Sequence, residues 1–217
     1  MPYDKIVDST ALDSTLRDIA EAIRGKTGKN EPLTIDQMAA EITGIQAGTG
    51  GADLLVEGNL TEYTGDVRTV RDYAFYGCKD LTSVYLPSAI RTYSNAFANC
   101  LNLTNVDMPA IEQVASNTFN ACRVLEVLDL HQCRIINADA FRNCTNLRVL
   151  ILRRTDAVCS IASVDVFKNT PFAADGSGGL VYVPENLIKE YEFATNWSTL
   201  MVTGNIEFVE IEGSEYE

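Results

Sequence analysis

Along the middle of the chain the apolar positions recur every 22 residues. Phe75, Phe97, Phe119 and Phe141 form one column, Cys78, Cys100, Cys122 and Cys144 a second, and Leu81, Leu103, Leu125 and Leu147 a third. Three columns in one register predict a solenoid: a single unit cannot bury its Phe, Cys and Leu, whereas stacked neighbours share one continuous core. After each Leu comes a short alternating segment, Val84-Tyr85-Leu86, Val106-Asp107-Met108, Leu128-Asp129-Leu130 and Leu150-Ile151-Leu152. The outer residues are apolar and the middle one varies, which predicts a strand with one buried face. Parallel strands, one per coil and about 4.8 Å apart, are expected to form one narrow sheet along one side.

A return segment brings a second apolar pair, eight and five residues before the next Phe. Val67 and Val70, Ile111 and Val114, and Cys133 and Ile136 fill it, so a half-coil precedes the first full unit. Before Phe97 the pair slips, with Ile90 one residue late, and the return path reads as looser than the strand. From Phe141 to Phe167 the interval is 26, which predicts a bulge over 153–164. In the last coil Thr170 and Ala173 replace Cys and Leu, and Asp175-Gly176-Ser177-Gly178-Gly179 interrupts. The glycines at 176–179, like those at 48–51, read as linker. Val181-Tyr182-Val183-Pro184 recovers the strand, and an atypical terminal unit is what closes a solenoid's apolar end. Residues 185–194 predict a short amphipathic helix with Leu187, Ile188 and Tyr191 on one side. Trp197 is placed to cover the open core, and the acidic end from Glu210 is expected to fray.

The first 46 residues follow another rule. Leu12, Leu16, Ile19 and Ile23 make one helical stripe that stops at Gly25 and Gly28. A second helix begins at a Thr34-x-x-Gln37 capping box, with Ile35, Met38 and Ile42 as its apolar edge. Two such short helices bury too little area to stand alone, so their stripes are expected against each other, against copies of the chain in a homo-oligomer, or against a larger assembly. The division is therefore a helical attachment or oligomerisation module over 1–46, a Gly-rich linker over 47–57, an α/β repeat solenoid over 58–208 and an acidic tail over 209–217.

A net charge of −13 repels phosphate backbones and anionic lipid, so nucleic acid is not an expected partner. No apolar run approaches the roughly 20 residues that span a bilayer, and the start lacks the profile of a secretory signal. The six cysteines occupy repeat positions: four between Phe and Leu, and Cys133 and Cys159 eight residues before Phe141 and Phe167. They read as small buried hydrophobes in reduced ladders, since stacked Cβ atoms about 4.8 Å apart exceed the ~3.8 Å of a disulfide. No C-x-x-C pair suggests zinc. His131 is the single histidine, and nothing near it, Asp129 included, signals an activated nucleophile; it reads as a turn residue after a strand. Neither Gly-rich segment carries the Lys-Ser/Thr of a phosphate loop. No catalytic residue, cofactor or metal site is expected, and the chain reads as a binding protein.

The variable strand position is the candidate ligand-facing column: Tyr85, Asp107, Asp129 and Ile151, pointing outward together. Ser83, Asn105, Val127 and Val149 flank it on one side, and Ser88, Ala110, Gln132 and Arg154 lie near the other edge. A rigid extended face carrying an aromatic, acids and an Arg suits recognition of a sugar or a protein, against the plainer reading of a solvated surface.

The unit A-F-x-x-C-x-x-L-x-x-V-x-L-P and the closing Val181-Tyr182-Val183-Pro184 through Tyr191 and Asn196-Trp197-Ser198 resemble the BspA-like class of leucine-rich repeats over about residues 58–208. That resemblance implies surface recognition and adhesion, as in bacterial surface, protozoan and phage-encoded proteins. The segment from Leu12 through Gly28 and on through Glu31-Pro32-Leu33-Thr34 to Ile42 resembles a short leader on tail, baseplate and fibre proteins of phages of Gram-positive hosts. It implies a non-enzymatic virion accessory protein, held to other virion proteins through residues 1–46 and displaying the solenoid toward a bacterial surface glycan or protein. The alternatives are a bacterial cell-surface or secreted adhesin and an intracellular interaction scaffold.

Overall fold

The structure, a computed structural model, describes residues 60–173 and 175–217. The stripes of Leu12, Leu16, Ile19, Ile23, Ile35, Met38 and Ile42, and the linker over 47–57, lie outside the described residues. Each coil contributes two strands that build two walls around one core. On the first wall, β1 (Glu62–Thr64), β3 (Ser83–Tyr85) and β5 (Asn105–Asp107) form one sheet. A second sheet runs β7 (Val127–Asp129), β9 (Val149–Ile151), β11 (Gly179–Val183) and β12 (Ile206–Glu210). All pairs are parallel, with the buried middle residues in register: Tyr63 beside Val84, Val84 beside Val106, and Leu128 beside Leu150, which meets Val181 on its other side. The first wall is thus two sheets rather than the one expected.

The return segments form the second wall, a continuous five-stranded sheet of β2 (Thr69–Val70), β4 (Arg91–Thr92), β6 (Gln113–Val114), β8 (Ile135–Ile136) and β10 (Ser160–Ile161). The expected slip before Phe97 does not occur. Ala89 and Thr92 hold the two places, both buried, and Thr92 continues the column Val70, Val114, Ile136. Its polarity hid it. The Thr92 hydroxyl shares a hydrogen bond with that of Thr118 at 2.9 Å and accepts the Ala115 amide at 3.0 Å, so the buried oxygen is satisfied and its burial costs little.

Between the walls the Phe column stacks face to face, with ring centroids 5.0 Å apart from Phe75 to Phe97, 5.3 Å to Phe119, 5.8 Å to Phe141 and 5.5 Å to Phe167. Tyr63 closes its start edge-on, and Phe172, on none of the expected columns, extends its end at 4.8 Å from Phe167. Two turns per coil need left-handed backbone. Two residues before Phe75, Phe97, Phe119 and Phe141 stand Tyr73, Asn95, Asn117 and Asp139, and two after these and Phe167 stand Gly77, Asn99, Ala121, Asn143 and Asn169, all with positive φ. Asn tolerates this region better than most residues. Its side chains also link coils: the amide of Asn143 donates to Asn120 at 3.0 Å and that of Asn169 to Asn143 at 2.8 Å.

After the last Phe the chain builds a cap. A 3-10 turn over Glu185–Leu187 leads into α1 (Ile188–Phe193), and α2 (Trp197–Thr203) follows. Leu187, Tyr191, Trp197 and Leu200 are buried. Residues 176–179 are not a linker: Gly179 opens β11 against Phe172, whose ring would lie 2.5 Å from a Cβ placed there. Nor does the end fray at Glu210. The backbone of β12 runs through that residue, the Ile211 amide donates to Val183, and Ile211 is buried. The cause is apolar: the tail brings Ile211 and Tyr216 onto the outward faces of Ile151 and Tyr182.

Candidate recognition surface

The pleat of β3, β5 and β7 sends Val84, Val106 and Leu128 inward and so aims the next residue out. Tyr85 is 43% exposed and Asp107 exposed, while Asp129 is half-buried. Ile151 is a correction. It occupies the outward place on β9 but is only 2% exposed, because Tyr182 pairs beside it on β11 and Ile211 packs against it. Tyr216 meets Tyr182 edge-on at 4.8 Å. The tail thereby removes the C-terminal end of the wall from contact, and the available column is Tyr85, Asp107 and Asp129. Beside it, Asn105 donates to the Ser83 hydroxyl at 3.2 Å, and Val127 is exposed.

Asp129 has specific partners. Arg153 Nε donates to its Oδ2 at 2.8 Å, and His131 Nδ1 lies 3.4 Å from its Oδ1. Those last two atoms are shielded from solvent and otherwise unpartnered, so the contact between them is the one each has. Arg154, expected near the wall's edge, turns to Asp156 and donates to its Oδ2 at 2.8 Å. That hydrogen bond holds the Asp156 carboxyl below the usual range.

The six thiols are free and buried. Cys100, Cys122 and Cys144 donate to the carbonyls of Phe75, Phe97 and Phe119 in the preceding coil, at 3.0, 3.2 and 2.9 Å. Each thiol therefore ties two coils together. Desolvation pushes Cys100 and Cys144 up to about 12, and Cys122 well above its ordinary value. Thiols so held are poor nucleophiles. Among the described residues no three His, Cys, Asp or Glu side chains are grouped to hold a metal ion, and no helix is long and apolar enough to cross a membrane.

Three further tyrosines are exposed: Tyr73, Tyr76 and Tyr93. Reading the columns for shared residues passed over them, because each is a departure from its column. Their signal was an aromatic residue where the other coils carry mostly small or polar ones.

A model of the BspA type leucine rich repeat region matches residues 59–172 in six copies. The chain belongs to the BspA-type leucine-rich repeat family. The family match begins at residue 59. No curated protein matches the chain. Among solved structures, a leucine rich repeat protein of T. pallidum is 22% identical, with 70% of this chain and 67% of that one covered and a TM-score of 0.50. A leucine rich cell surface protein of Faecalibacterium prausnitzii is 21% identical over 71% of this chain and 33% of that one, with a TM-score of 0.42. A leucine-rich repeat protein of Bacteroides ovatus is 18% identical over 69% and 46%, with a TM-score of 0.41. This BspA-type chain thus spans about a third of the Faecalibacterium protein and two thirds of the T. pallidum protein.

Proposed function

We propose that the solenoid is a non-enzymatic recognition domain of the surface-adhesin kind, which takes a glycan or protein partner on the column Tyr85, Asp107 and Asp129. The observation that carries this reading is the outward row itself: Tyr85 and Asp107 on paired, in-register strands, with Asp129 at the same place on β7 of the neighbouring sheet, backed by a filled core. Membership of the BspA-type repeat family supports an interaction or adhesion role. Asp129 is held by Arg153 and lies against His131, the one histidine, and the thiols are buried, which supports binding without chemistry and without a cofactor. The site of action in this reading is a bacterial cell surface.

The test is binding of the labelled chain to bacterial cells. Saturable binding is expected, weakened about tenfold or more in a Tyr85→Ala, Asp107→Ala double variant. Equal binding by the variant would count against the column.

The leader favours a second reading, display on a phage virion, with residues 1–46 attached to other virion proteins and the same solenoid face toward the host. Its support is the sequence from Leu12 to Ile42. The chain is then expected in purified particles, and deletion of residues 1–46 is expected to leave a folded solenoid that no longer joins them. Absence from particles would refute this reading and leave the adhesin reading standing.

A further inference from the structure

Tyr73 and Tyr76 are each 51% exposed, and Tyr93 is 44% exposed. Tyr73 and Tyr76 share one turn, and Tyr93 follows β4 in the next coil. The rings of Tyr73 and Tyr76 meet edge to face at 5.4 Å. The Tyr73 amide donates to the Ser94 carbonyl at 3.1 Å, and the Ser94 amide to Asp72 Oδ1 at 2.9 Å. Tyr73 is thereby set against the chain one residue from Tyr93. Tyr93 lines a cleft of about 300 Å³ with Arg91, Ser94, Gln113, Ser116 and Asn137.

The coil's own packing does not ask for these rings. Where Tyr73 stands, the next coils place Asn95, Asn117 and Asp139; where Tyr76 stands, Ala98, Asn120 and Arg142; where Tyr93 stands, the neighbouring coils place Arg71, Ala115 and Asn137. Tyr73 also holds a φ of 59°, a conformation unfavourable for a bulky side chain. Three rings are thus left about half exposed, one of them strained, with faces open to a ligand.

We propose that Tyr73, Tyr76 and Tyr93, with the cleft beside them, form a binding site for an uncharged pyranose oligosaccharide. Flat, rigid aromatic faces with a polar tip suit the C–H face of a sugar ring. The hydroxyls of Ser94 and Ser116 and the amides of Gln113 and Asn137 offer both donors and acceptors, as sugar hydroxyls require. The cleft is at the small end of the range that ligands occupy, and residues 60–173 carry eleven acidic and eleven basic side chains, so no net field of the repeats selects a charged glycan. A protein partner, which exposed tyrosines also suit, is the reading left if none of the sugars below binds. The site uses the turns and second wall, apart from the strand column, so it stands or falls separately from the column reading.

The experiment is calorimetric titration of the full chain with maltotetraose, cellotetraose and the N-acetylglucosamine tetramer. At least one is expected to bind saturably. Tyr93→Ala and Tyr73→Asn are each expected to weaken that binding about tenfold, while Tyr93→Phe, which keeps the ring, stays within about threefold and Val202→Ala, on the exposed face of α2, leaves it unchanged. The substituted side chains are exposed, so thermal melts of all four variants are expected near that of the parent. Binding of none of the three sugars, binding indifferent to Tyr93→Ala, an equal loss in Tyr93→Phe, or an equal loss in Val202→Ala would each overturn the proposal.

Discussion

Trp197 donates its indole N–H to the carbonyl oxygen of Cys159 at 2.7 Å. The amide of the same Cys159 donates to the Tyr191 hydroxyl at 2.9 Å, and Asn196 donates to the Ile161 carbonyl at 2.8 Å. β10 is the last strand of the second wall, and an open edge invites pairing with another chain. The cap satisfies that edge with side chains while Trp197 covers the end of the Phe stack. Trp197→Phe leaves the Cys159 carbonyl buried without its donor and removes packing. It is expected to cost about 2–4 kcal/mol, read as a fall in Tm of about 5–10 °C.

The Asn ladder sets a second expectation. Asn143 holds a φ of 61° and bridges Asn120 and Asn169. Asn143→Ala loses both bridges and strains the backbone; Asn143→Gly loses the bridges alone. Denaturant unfolding is expected to find both destabilised, with the Ala variant worse by about 1 kcal/mol. Equal stability of the two would show that the left-handed turn costs nothing at this position.

The interior of the solenoid was legible in the sequence because one physical demand repeats: four successive coils each bury a Phe, a Cys and a Leu, so identity recurs with position. Legibility failed where a polar or unique residue met the demand. Thr92 is buried in an apolar column by pairing its hydroxyl, and Phe172 fills the last coil from outside every column. The tail was misread because its acidic residues outnumber Ile211 and Tyr216, the two that hold it. For the recognition surface, the direction of Tyr85, Asp107, Asp129 and Ile151 followed from strand alternation, but the loss of Ile151 under the tail depends on a contact across 60 residues. The exposed tyrosines were illegible for the opposite reason: a repeat profile records what coils share.

The buried thiols make stability depend on alkali. In the unfolded chain a thiol titrates near its ordinary value of 9.0, whereas Cys100 and Cys144 in the folded chain are raised to about 12 by burial. The unfolded state therefore releases these protons first as pH rises. Their contribution to stability is complete below pH 9 and is lost between about 9 and 12. Urea midpoints are expected to fall from pH 8 to pH 10, and to fall less in a Cys100→Ala, Cys144→Ala variant. In the same terms, the native chain at pH 8 is expected to resist a thiol reagent that labels it fully in denaturant.

The tail gives a truncation test. Ending the chain after Glu210 uncovers Ile151 and Tyr182 and removes the Ile211 amide bond to Val183. A loss of about 2–3 kcal/mol is expected from the apolar area exposed, together with a gain in binding of a hydrophobic dye. A truncated chain that melts like the parent would mean that the tail contributes no packing.

The central claim is that partners are taken on a rigid outward column, and hydrogen exchange on the full chain, free and bound to bacterial surface material, tests it most directly. Slowed exchange is expected at Ser83–Tyr85, Asn105–Asp107 and Val127–Asp129, with no change at Ile151 beneath the tail. Bound chain whose protection leaves those three strands untouched and falls elsewhere would contradict it.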